Sequence, residues 1–381
     1  MVGTRRTIAD KNTSTIFLKS VASDTTMGNS TNKTIGGQSP SGIVVVPYHD
    51  LPVAYYEQSI SSLFYAPAWI QVMEDTYGFP FYTAWDRLTG HHIIFAVILQ
   101  SEGHKIISLP FSDYIVLNPE SACSLVGAVQ SAYPSFPIVV RMATTKDAPP
   151  LVGNVTQRAY YHRVFTPSAD VGASHLSASF RRGVQKARRS GVSIHQSNTF
   201  QALEEFYVLY HQLRINKFRT IPQPFVFFKQ VWKKFIDKQQ GFILQARRRE
   251  TLLAAIIVLE YQGVWYYKFG CSRLDTLQHR PNNLLFAELI RLAGEQPHIT
   301  EINLGLSGTD ASYEGLIRFK EGMGGQRAHI VTYQLLPDGY DLRAEQNSKA
   351  VLSTLIKAIV ASKPNLKTTD AWSRILYPSF L

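Results

Sequence analysis

The feature that most constrains the fold is a block of three apolar runs with short polar turns between them, followed by a helix. The runs GFILQARR, LLAAIIVLEYQG and VWYYKFGCS are rich in β-branched and aromatic residues, a composition that predicts an antiparallel meander. The helix NNLLFAELIRLAG begins just after Pro281 and ends at a glycine, as helices commonly do. Strands and helices alternating in this way predict an α/β (α+β) fold.

The segments around this block extend the pattern to the order β-α-α-β-β-β-α-β-α-β. The first half of the chain repeats this order loosely, with a helix, three strand-like runs, a second helix and a strand. We therefore predict two copies of one unit, with mixed, mostly antiparallel sheets flanked by helices. The segments assigned outside the block are strands at 192–197, 301–305, 329–336 and 136–143, strand-like runs between 81 and 114, and helices at 200–217, 224–238, 313–322, 67–78 and 120–133.

The domain organisation follows from where these patterns begin and end. Residues 1–40 are rich in Ser, Thr, Asn and Gly, and they bury too little apolar surface to offset the entropy of ordering, so we predict a disordered tail. We assign the first unit to residues 41–165 and the second, which carries the cofactor cleft, to residues 166–340. A C-terminal helical extension is predicted for residues 341–381.

Composition excludes several classes of protein. The chain has no apolar stretch near the roughly 20 residues needed to span a bilayer and no apolar run of the kind found in secretory signals, so we expect a cytoplasmic protein without a transmembrane segment. Its two cysteines have no metal-ligand spacing, so no metal is expected. The sequence also has no nucleophile elbow, Walker loop, zinc-protease motif or dinucleotide fingerprint.

The net charge of +11 indicates an anionic partner. Candidates are a phosphorylated small molecule, a lipid-linked glycan precursor with peripheral membrane contact, or tRNA. The alternative is a solvated basic surface without a dedicated site.

The segment HLSASFRRGVQKARRSGV concentrates positive charge on a predicted helix. Ser177 or Ser179 can cap its start, and Phe180, Val184 and Ala187 share one face. Five cations fall within nine residues without an intervening acid, a density that a bound phosphate would stabilise. We assign substrate binding to three of them, and the alternative is a solvated helix that joins two domains. The three are Arg181, Arg182 and Lys186.

A second candidate site lies where the third strand of the meander runs through a polar loop into the following helix. A helix N-terminus offers free N–H groups and partial positive charge, which suit a pyrophosphate. We assign cofactor binding to Tyr267 on the strand and to Arg280, Asn282 and Asn283 at the helix start. The alternative is that these loop residues only begin the helix.

Two further residues are candidates for the chemical step. Lys320 lies in the glycine-flanked run RFKEGMGG, where its charge could stabilise an acyl carbonyl or a leaving phosphate. Asp113 follows a strand stopped by Pro110 and could act as a base or bind an amine, although an aspartate in a turn often serves the turn itself.

Taken together, three motifs resemble the FemAB-type peptidoglycan bridge-forming ligases and the related acetyltransferases of polysaccharide and exosortase loci. They are FRRxxxKARRxGV at 180–192, RPNxLL at 280–285 and GLxxFKExxGG at 315–325, and LPFSDY at 109–114 resembles the first domain of the polysaccharide-linked branch. The resemblance covers roughly residues 43–335. It implies tandem GNAT-like (acyl-CoA N-acyltransferase) folds and a cleft that uses Lys320, and it adds Tyr114 to the substrate-binding residues.

The resemblance also implies a function. The chain is expected to be an N-acyltransferase that moves an acyl or aminoacyl group from acyl-CoA or aminoacyl-tRNA to an amine on a cell-envelope or polysaccharide precursor. The loop Arg-Pro-Asn-Asn replaces the glycines of the usual GNAT cofactor loop. That difference favours an alternative, a non-catalytic GNAT-like module that binds a phosphorylated glycan precursor or RNA.

Overall fold

The strands of the described residues form one mixed sheet of 12 strands. The computed structural model describes residues 42–52, 62–100, 103–117, 119–144, 153–165 and 176–381, so the predicted tail at 1–40 lies outside them. The strands are β1 (Ile43–Pro47), β2 (Phe81–Asp86), β3 (His92–Gln100), β4 (Gly103–Ile107), β5 (Ile138–Thr144), β6 (Asn154–Phe165), β7 (Ser193–Ser197), β8 (Gly241–Arg248), β9 (Thr251–Tyr261), β10 (Val264–Ser272), β11 (Glu301–Gly308) and β12 (Gln326–Leu335).

Helices cover the two faces and one end of the sheet. They are α1 (Pro67–Tyr77), α2 (Pro119–Ala132), α3 (Ala178–Arg189), α4 (Phe200–Asn216), α5 (Phe225–Val231), α6 (Pro281–Gly294), α7 (Glu314–Gly322), α8 (Leu342–Ala361) and α9 (Leu366–Leu376). The helix predicted at 224–238 ends earlier as an α-helix, because α5 continues as a π-helical turn over Trp232–Ile236. No helix of the described residues combines the length and apolar character needed to cross a bilayer.

The sheet contains two copies of one arrangement. Strands β1 to β4 form an antiparallel meander, and β5 joins β4 in parallel after the crossover helix α2. Strands β7 to β10 form a second antiparallel meander, and β11 joins β10 in parallel after α6. The predicted fold class, a duplicated α/β unit with a mostly antiparallel mixed sheet, is confirmed.

The two copies meet through strands that cross to the other copy. β6 follows the first five strands in the chain but pairs with β11, and β12 follows the second five but pairs with β5. β6 and β12 also pair with each other, giving the order β1-β2-β3-β4-β5-β12-β6-β11-β10-β9-β8-β7. The sheet therefore runs without interruption through the boundary that the sequence suggests at 165 and 166.

Apolar residues pack on both faces of the second half of the sheet. Alternate side chains of a strand face opposite ways, and Ile243 of β8 enters one core while Leu244 enters the other. The first core takes in the first half of the chain together with α4 and α5, and the second contains α3 and α6. The C-terminal α9 is held by Asp370, whose carboxylate accepts hydrogen bonds from Phe225 N at 2.5 Å and Tyr207 Oη at 3.2 Å.

Candidate active site

A cleft opens where the parallel strands β10 and β11 separate. Val264–Tyr266 of β10 pairs with Glu301–Asn303 of β11. Both strands continue beyond these residues without pairing with each other. Near the same point, the pairing of β10 with β9 shifts register after Tyr267, and the pairing of β11 with β6 shifts register after Asn303. Backbone groups at such an opening are available to a ligand rather than to the ladder.

Lys320 reaches the end of β11 from α7. Its side chain is buried, and its ammonium donates to Gly305 O at 2.9 Å, Leu306 O at 2.7 Å and Ser307 Oγ at 3.0 Å. These three bonds use all three donors of a lysine ammonium. Burial lowers the pKa of Lys320 to about 7, and the negative charge of Asp113 opposes this shift. The charge of Lys320 therefore acts on the backbone of β11.

Asp113 approaches the same point of β11 from the first half of the chain. It follows a loop in which Leu109 and Phe111 have positive φ values of 48° and 55° on either side of Pro110. One carboxylate oxygen, Oδ1, lies 2.5 Å from Lys268 Nζ. The other, Oδ2, lies 3.7 Å from where a Cβ on Gly305 would be. The structure thus brings the two predicted catalytic residues to the same glycine.

Gly305 itself has a φ of +70°, a conformation that favours glycine. A Cβ at this position would also lie 3.4 Å from Tyr267 O on β10. Gly305 therefore lies close to both the backbone of β10 and the carboxylate of Asp113.

Tyr114 lies beneath this point and supports β11. Its buried hydroxyl accepts a hydrogen bond from Asn303 Nδ2 at 2.8 Å, while Asn303 Oδ1 accepts one from Gly305 N at 2.9 Å. The ring packs against Tyr161 with centroids 4.5 Å apart. Burial raises the pKa of Tyr114, which keeps the hydroxyl neutral. Its contacts orient the backbone at Gly305.

A cation-lined cavity of about 490 Å³ lies between α3, α6 and α7. No acidic side chain is among the described residues that form its wall, although Arg318 pairs with Glu314 at 3.5 Å outside it. The wall consists of Ser177, Ser179, Phe180, Arg182, Gly183, Lys186, Arg280, Asn283, Gly315, Arg318, Phe319 and Gly322. Four cations beside the N-terminus of α6 make a site for a phosphate-bearing ligand.

Helix α3 forms one wall of this cavity because it lies very close to α6. Its start is capped by Ser177 Oγ, which accepts a hydrogen bond from Phe180 N at 3.2 Å. At Gly183, a Cβ would lie only 2.5 Å from Asn283 Nδ2. A glycine inside a helix costs about 1 kcal/mol relative to alanine, and here it permits the contact between the two helices.

The cavity gathers four of the eight residues predicted to bind cofactor or substrate, namely Arg182, Lys186, Arg280 and Asn283, and the other four, Tyr114 among them, lie elsewhere. Arg181 donates to Leu176 O at 2.6 Å, and Asn282 Nδ2 donates to Ser272 Oγ at 3.4 Å. Tyr267 packs edge-to-face on Phe286, with ring centroids 4.9 Å apart, and burial raises its pKa.

Two residues in the neighbourhood of Asp113 and Lys320, namely Lys268 and His162, were not predicted from the sequence. Lys268 lies at the register shift of β10, and a lone cation inside the apolar run VWYYKFG was the signal that could have indicated it. His162 is fully buried on β6, and neither ring nitrogen has a hydrogen-bond partner among the described residues. Burial, with Lys320 nearby, lowers its pKa to about 4. No strand was predicted there, so no signal pointed to it.

The described residues contain no group of three or more His, Cys, Asp or Glu side chains that could hold a metal ion.

Comparison with known proteins shows similarity in domain family and in fold. Residues 174–320 match the model of the acetyltransferase (GNAT) domain. The crystal structure of FemX is similar with a TM-score of 0.53 and 11% identity, over 74% of this chain and 94% of that chain. The structure of L-PGS from Bacillus licheniformis is similar with a TM-score of 0.51 and 13% identity, over 80% of this chain and 95% of that chain. No curated protein sequence matches this chain.

The match to the GNAT model identifies residues 174–320 as an acyltransferase domain. The overall fold is shared with FemX, so the tandem GNAT-like fold that the sequence motifs implied is confirmed.

Proposed function

We propose that this protein transfers an acyl or aminoacyl group from a phosphate-bearing donor to an amine on a cell-envelope or polysaccharide precursor. The cation-lined cavity is the observation that carries the proposal. Phe319 lines that cavity, and the next residue in the chain is Lys320, whose ammonium binds β11 at the cleft. A donor whose phosphates occupy the cavity would thus hold its reactive carbonyl close to Gly305.

Both acyl-CoA and aminoacyl-tRNA fit the charge of the cavity. Each carries phosphates, and arginine and lysine side chains bind phosphate through charge-assisted hydrogen bonds. The start of α6 lacks the glycines that let a backbone wrap a pyrophosphate, and Arg182, Lys186, Arg280 and Arg318 would bind the phosphates in their place. Both donors are made in the cytoplasm, which is where the proposal puts the reaction.

The residues at Gly305 can carry the transfer. The amine nitrogen must be neutral when it attacks the donor carbonyl, and Asp113 Oδ2 can orient it and accept its proton. Lys320 polarises the peptide groups whose carbonyls belong to Gly305 and Leu306, which strengthens their N–H groups as donors to the developing oxyanion. A new C–N bond forms, the thioester or ester bond breaks, and the leaving thiolate or alkoxide takes up a proton.

The acceptor is proposed from its chemistry and from the FemAB resemblance. An amine on a phosphorylated or lipid-linked glycan precursor would suit a protein with a net charge of +11, and a lipid-linked acceptor would bring the enzyme to the membrane surface.

The test compares donors and cavity variants. Melting temperatures are measured with acetyl-CoA, a longer acyl-CoA and alanyl-tRNA, because a ligand that binds only the native state raises the melting temperature. The double variant Arg182→Gln with Lys186→Gln should raise the KM for the donor by about 10²-fold or more, since each lost charge-assisted bond contributes about 1.5–3 kcal/mol. With tRNA it should also reduce the salt dependence of binding by roughly 1.5 log units per decade of salt.

Arg188→Gln is the matched control. Arg188 is exposed on the same helix but does not line the cavity, so this variant should bind the donor as the wild type does. Equal donor binding by the cavity variant and the control would contradict the proposal. A shift with acyl-CoA alone or tRNA alone would identify the donor class.

A further inference from the structure

Lys268 forms a buried ion pair across the junction of the two copies. It lies on β10 in the second copy, its side chain is only 5% exposed, and its Nζ is 2.5 Å from Asp113 Oδ1 of the first copy. Asp113 is 17% exposed, so the pair is almost closed to solvent on the lysine side and partly open on the carboxylate side.

Aromatic rings hold the ammonium of Lys268 in place. Nζ lies 4.7 Å from the ring centroid of Phe64, 5.1 Å from that of Trp69 and 5.8 Å from that of Phe269. Cations bind favourably over aromatic faces at such distances. Trp69 also donates from Nε1 to Ser112 Oγ at 2.9 Å, which fixes the residue next to Asp113.

In this arrangement one carboxylate oxygen of Asp113 is bound to Lys268 and the other is directed at the cleft. Oδ1 binds Lys268, whereas Oδ2 faces Gly305 and has no hydrogen-bond partner among the described residues. A buried ion pair is a weak source of stability, because desolvation of the two charges offsets their attraction. The position of this pair, with one oxygen of Asp113 facing the cleft, is therefore better explained by the orientation that it gives the Asp113 carboxylate than by a contribution to stability.

We infer that Lys268 is a positioning residue for the acceptor amine. By binding Oδ1 it fixes the rotamer of Asp113, so that Oδ2 points at Gly305, where the amine attacks the donor carbonyl. Lys268 does not touch the reacting atoms and takes no proton itself. The inference rests on the proposed role of Asp113 in the transfer reaction, and it also explains why the cleft needs both copies of the unit.

The test is a double-mutant cycle with Lys268→Met, Asp113→Asn and the two combined. Turnover is measured with acetyl-CoA or alanyl-tRNA as donor and the dipeptide alanyl-lysine as acceptor probe. If Lys268 acts through Asp113, Lys268→Met should lower kcat by about 10²-fold, as misplacement of a reacting group by about 1 Å can. Adding it to Asp113→Asn should cost no more, since residues that act as a unit are not additive. Lys268→Arg, which keeps the charge, should recover part of kcat.

Lys234→Met is the matched control. Lys234 pairs with Asp75 of α1 at 3.1 Å and so also joins the two copies, but its ion-pair partner is not Asp113, the carboxylate that lies near Gly305. Its loss should leave kcat unchanged. A crystal structure of Lys268→Met gives a second readout that needs no substrate, in which the Asp113 carboxylate should turn away from Gly305.

Several outcomes would overturn the inference. Additive losses in the cycle, or wild-type kcat in folded Lys268→Met while Asp113→Asn is impaired, would assign Lys268 to structure alone. If the Asp113 carboxylate keeps its orientation in the Lys268→Met crystal structure, Lys268 likewise has a structural role alone, and this result does not depend on whether the probes react. Wild-type turnover by Asp113→Asn would instead refute the proposed role of Asp113, a result that the cycle separates from failure of Lys268.

Discussion

Replacing Lys320 with methionine should change how the stability of the protein depends on pH. Burial lowers the pKa of Lys320 to about 7 from the usual lysine value of 10.5, so folding disfavours the protonated form. Between these two values the unfolded chain keeps the proton while the folded chain releases it. The unfolded state then binds more protons, and the free energy of unfolding rises with pH.

The size of this effect follows from the shift. Each pH unit well above the folded pKa adds about 1.4 kcal/mol of stability from this one group, and the slope is smaller near pH 7. Between pH 7.5 and 9 the contribution comes to about 2 kcal/mol. The Met variant lacks the titrating group, so its free energy of unfolding should rise by about 2 kcal/mol less than that of the wild type over this pH range. At neutral pH it also leaves Gly305 O, Leu306 O and Ser307 Oγ without their donor, at about 1–3 kcal/mol for each buried group.

Urea unfolding followed by tryptophan fluorescence at pH 7.5, 8.25 and 9 measures the difference between the two curves, in which the other titrating groups cancel. Lys357→Met is the control, because Lys357 is exposed on α8 and its replacement should leave the pH dependence as in the wild type. Parallel curves for wild type and Lys320→Met would refute the reasoning, since they would mean that Lys320 keeps the same charge in the folded and unfolded states throughout this range.

Two other perturbations test the packing around the site. Gly183→Ala adds a Cβ 2.5 Å from Asn283 Nδ2, so the Asn283 side chain must move at the cavity wall and donor binding should weaken. That move offsets the gain in helix propensity, so Gly183→Ala should raise the melting temperature less than Gly127→Ala on α2, where no atom lies within 4 Å of the added Cβ and the gain is up to about 1 kcal/mol. His162 has a folded pKa of about 4 against 6.5, so its neutral form is the stable one and stability falls as the pH drops from 6.5 to 4. His162→Phe should remove about 3 kcal/mol of that loss in acid unfolding, and an unchanged acid transition would mean that the ring is protonated without cost.

The local pattern of the second copy was predictable because most of its elements carry their own signal. The meander has three apolar runs, and α6 has a proline at its start and a glycine at its end. β6 was missed because its sequence, NVTQRAYYHRVF, alternates poorly and is mostly polar at its start, where the strand is exposed. Its position in the middle of the sheet is set by pairing with β11 and β12, which lie far along the chain.

The residues of the site also divide into those that local sequence predicts and those that only the fold brings together. Arg182 and Lys186 could be placed together from helical spacing, and Lys320 from its motif. The ion pair of Lys268 with Asp113 could not, because the two residues are 155 positions apart and belong to different copies. The sequence also gave no indication that the three donors of Lys320 are all engaged, since their acceptors are two carbonyls and a hydroxyl at the end of β11.

The exchange of β6 and β12 explains how a residue of the first copy, Asp113, comes to lie at the cleft between β10 and β11 of the second. β6 is the antiparallel neighbour of β11 on the side away from β10, and the register shift that they share brings Gly305 into the cleft. β12 is the corresponding neighbour of β5, which follows the strand and loop that lead to Asp113. A chain cut at 165 and 166 would separate β6 from β11 and β5 from β12, although each meander would remain complete. Lys320 would then lose the ordered end of β11 that it binds, and Asp113 would lose Lys268. The two copies therefore depend on each other for the site as well as for the sheet.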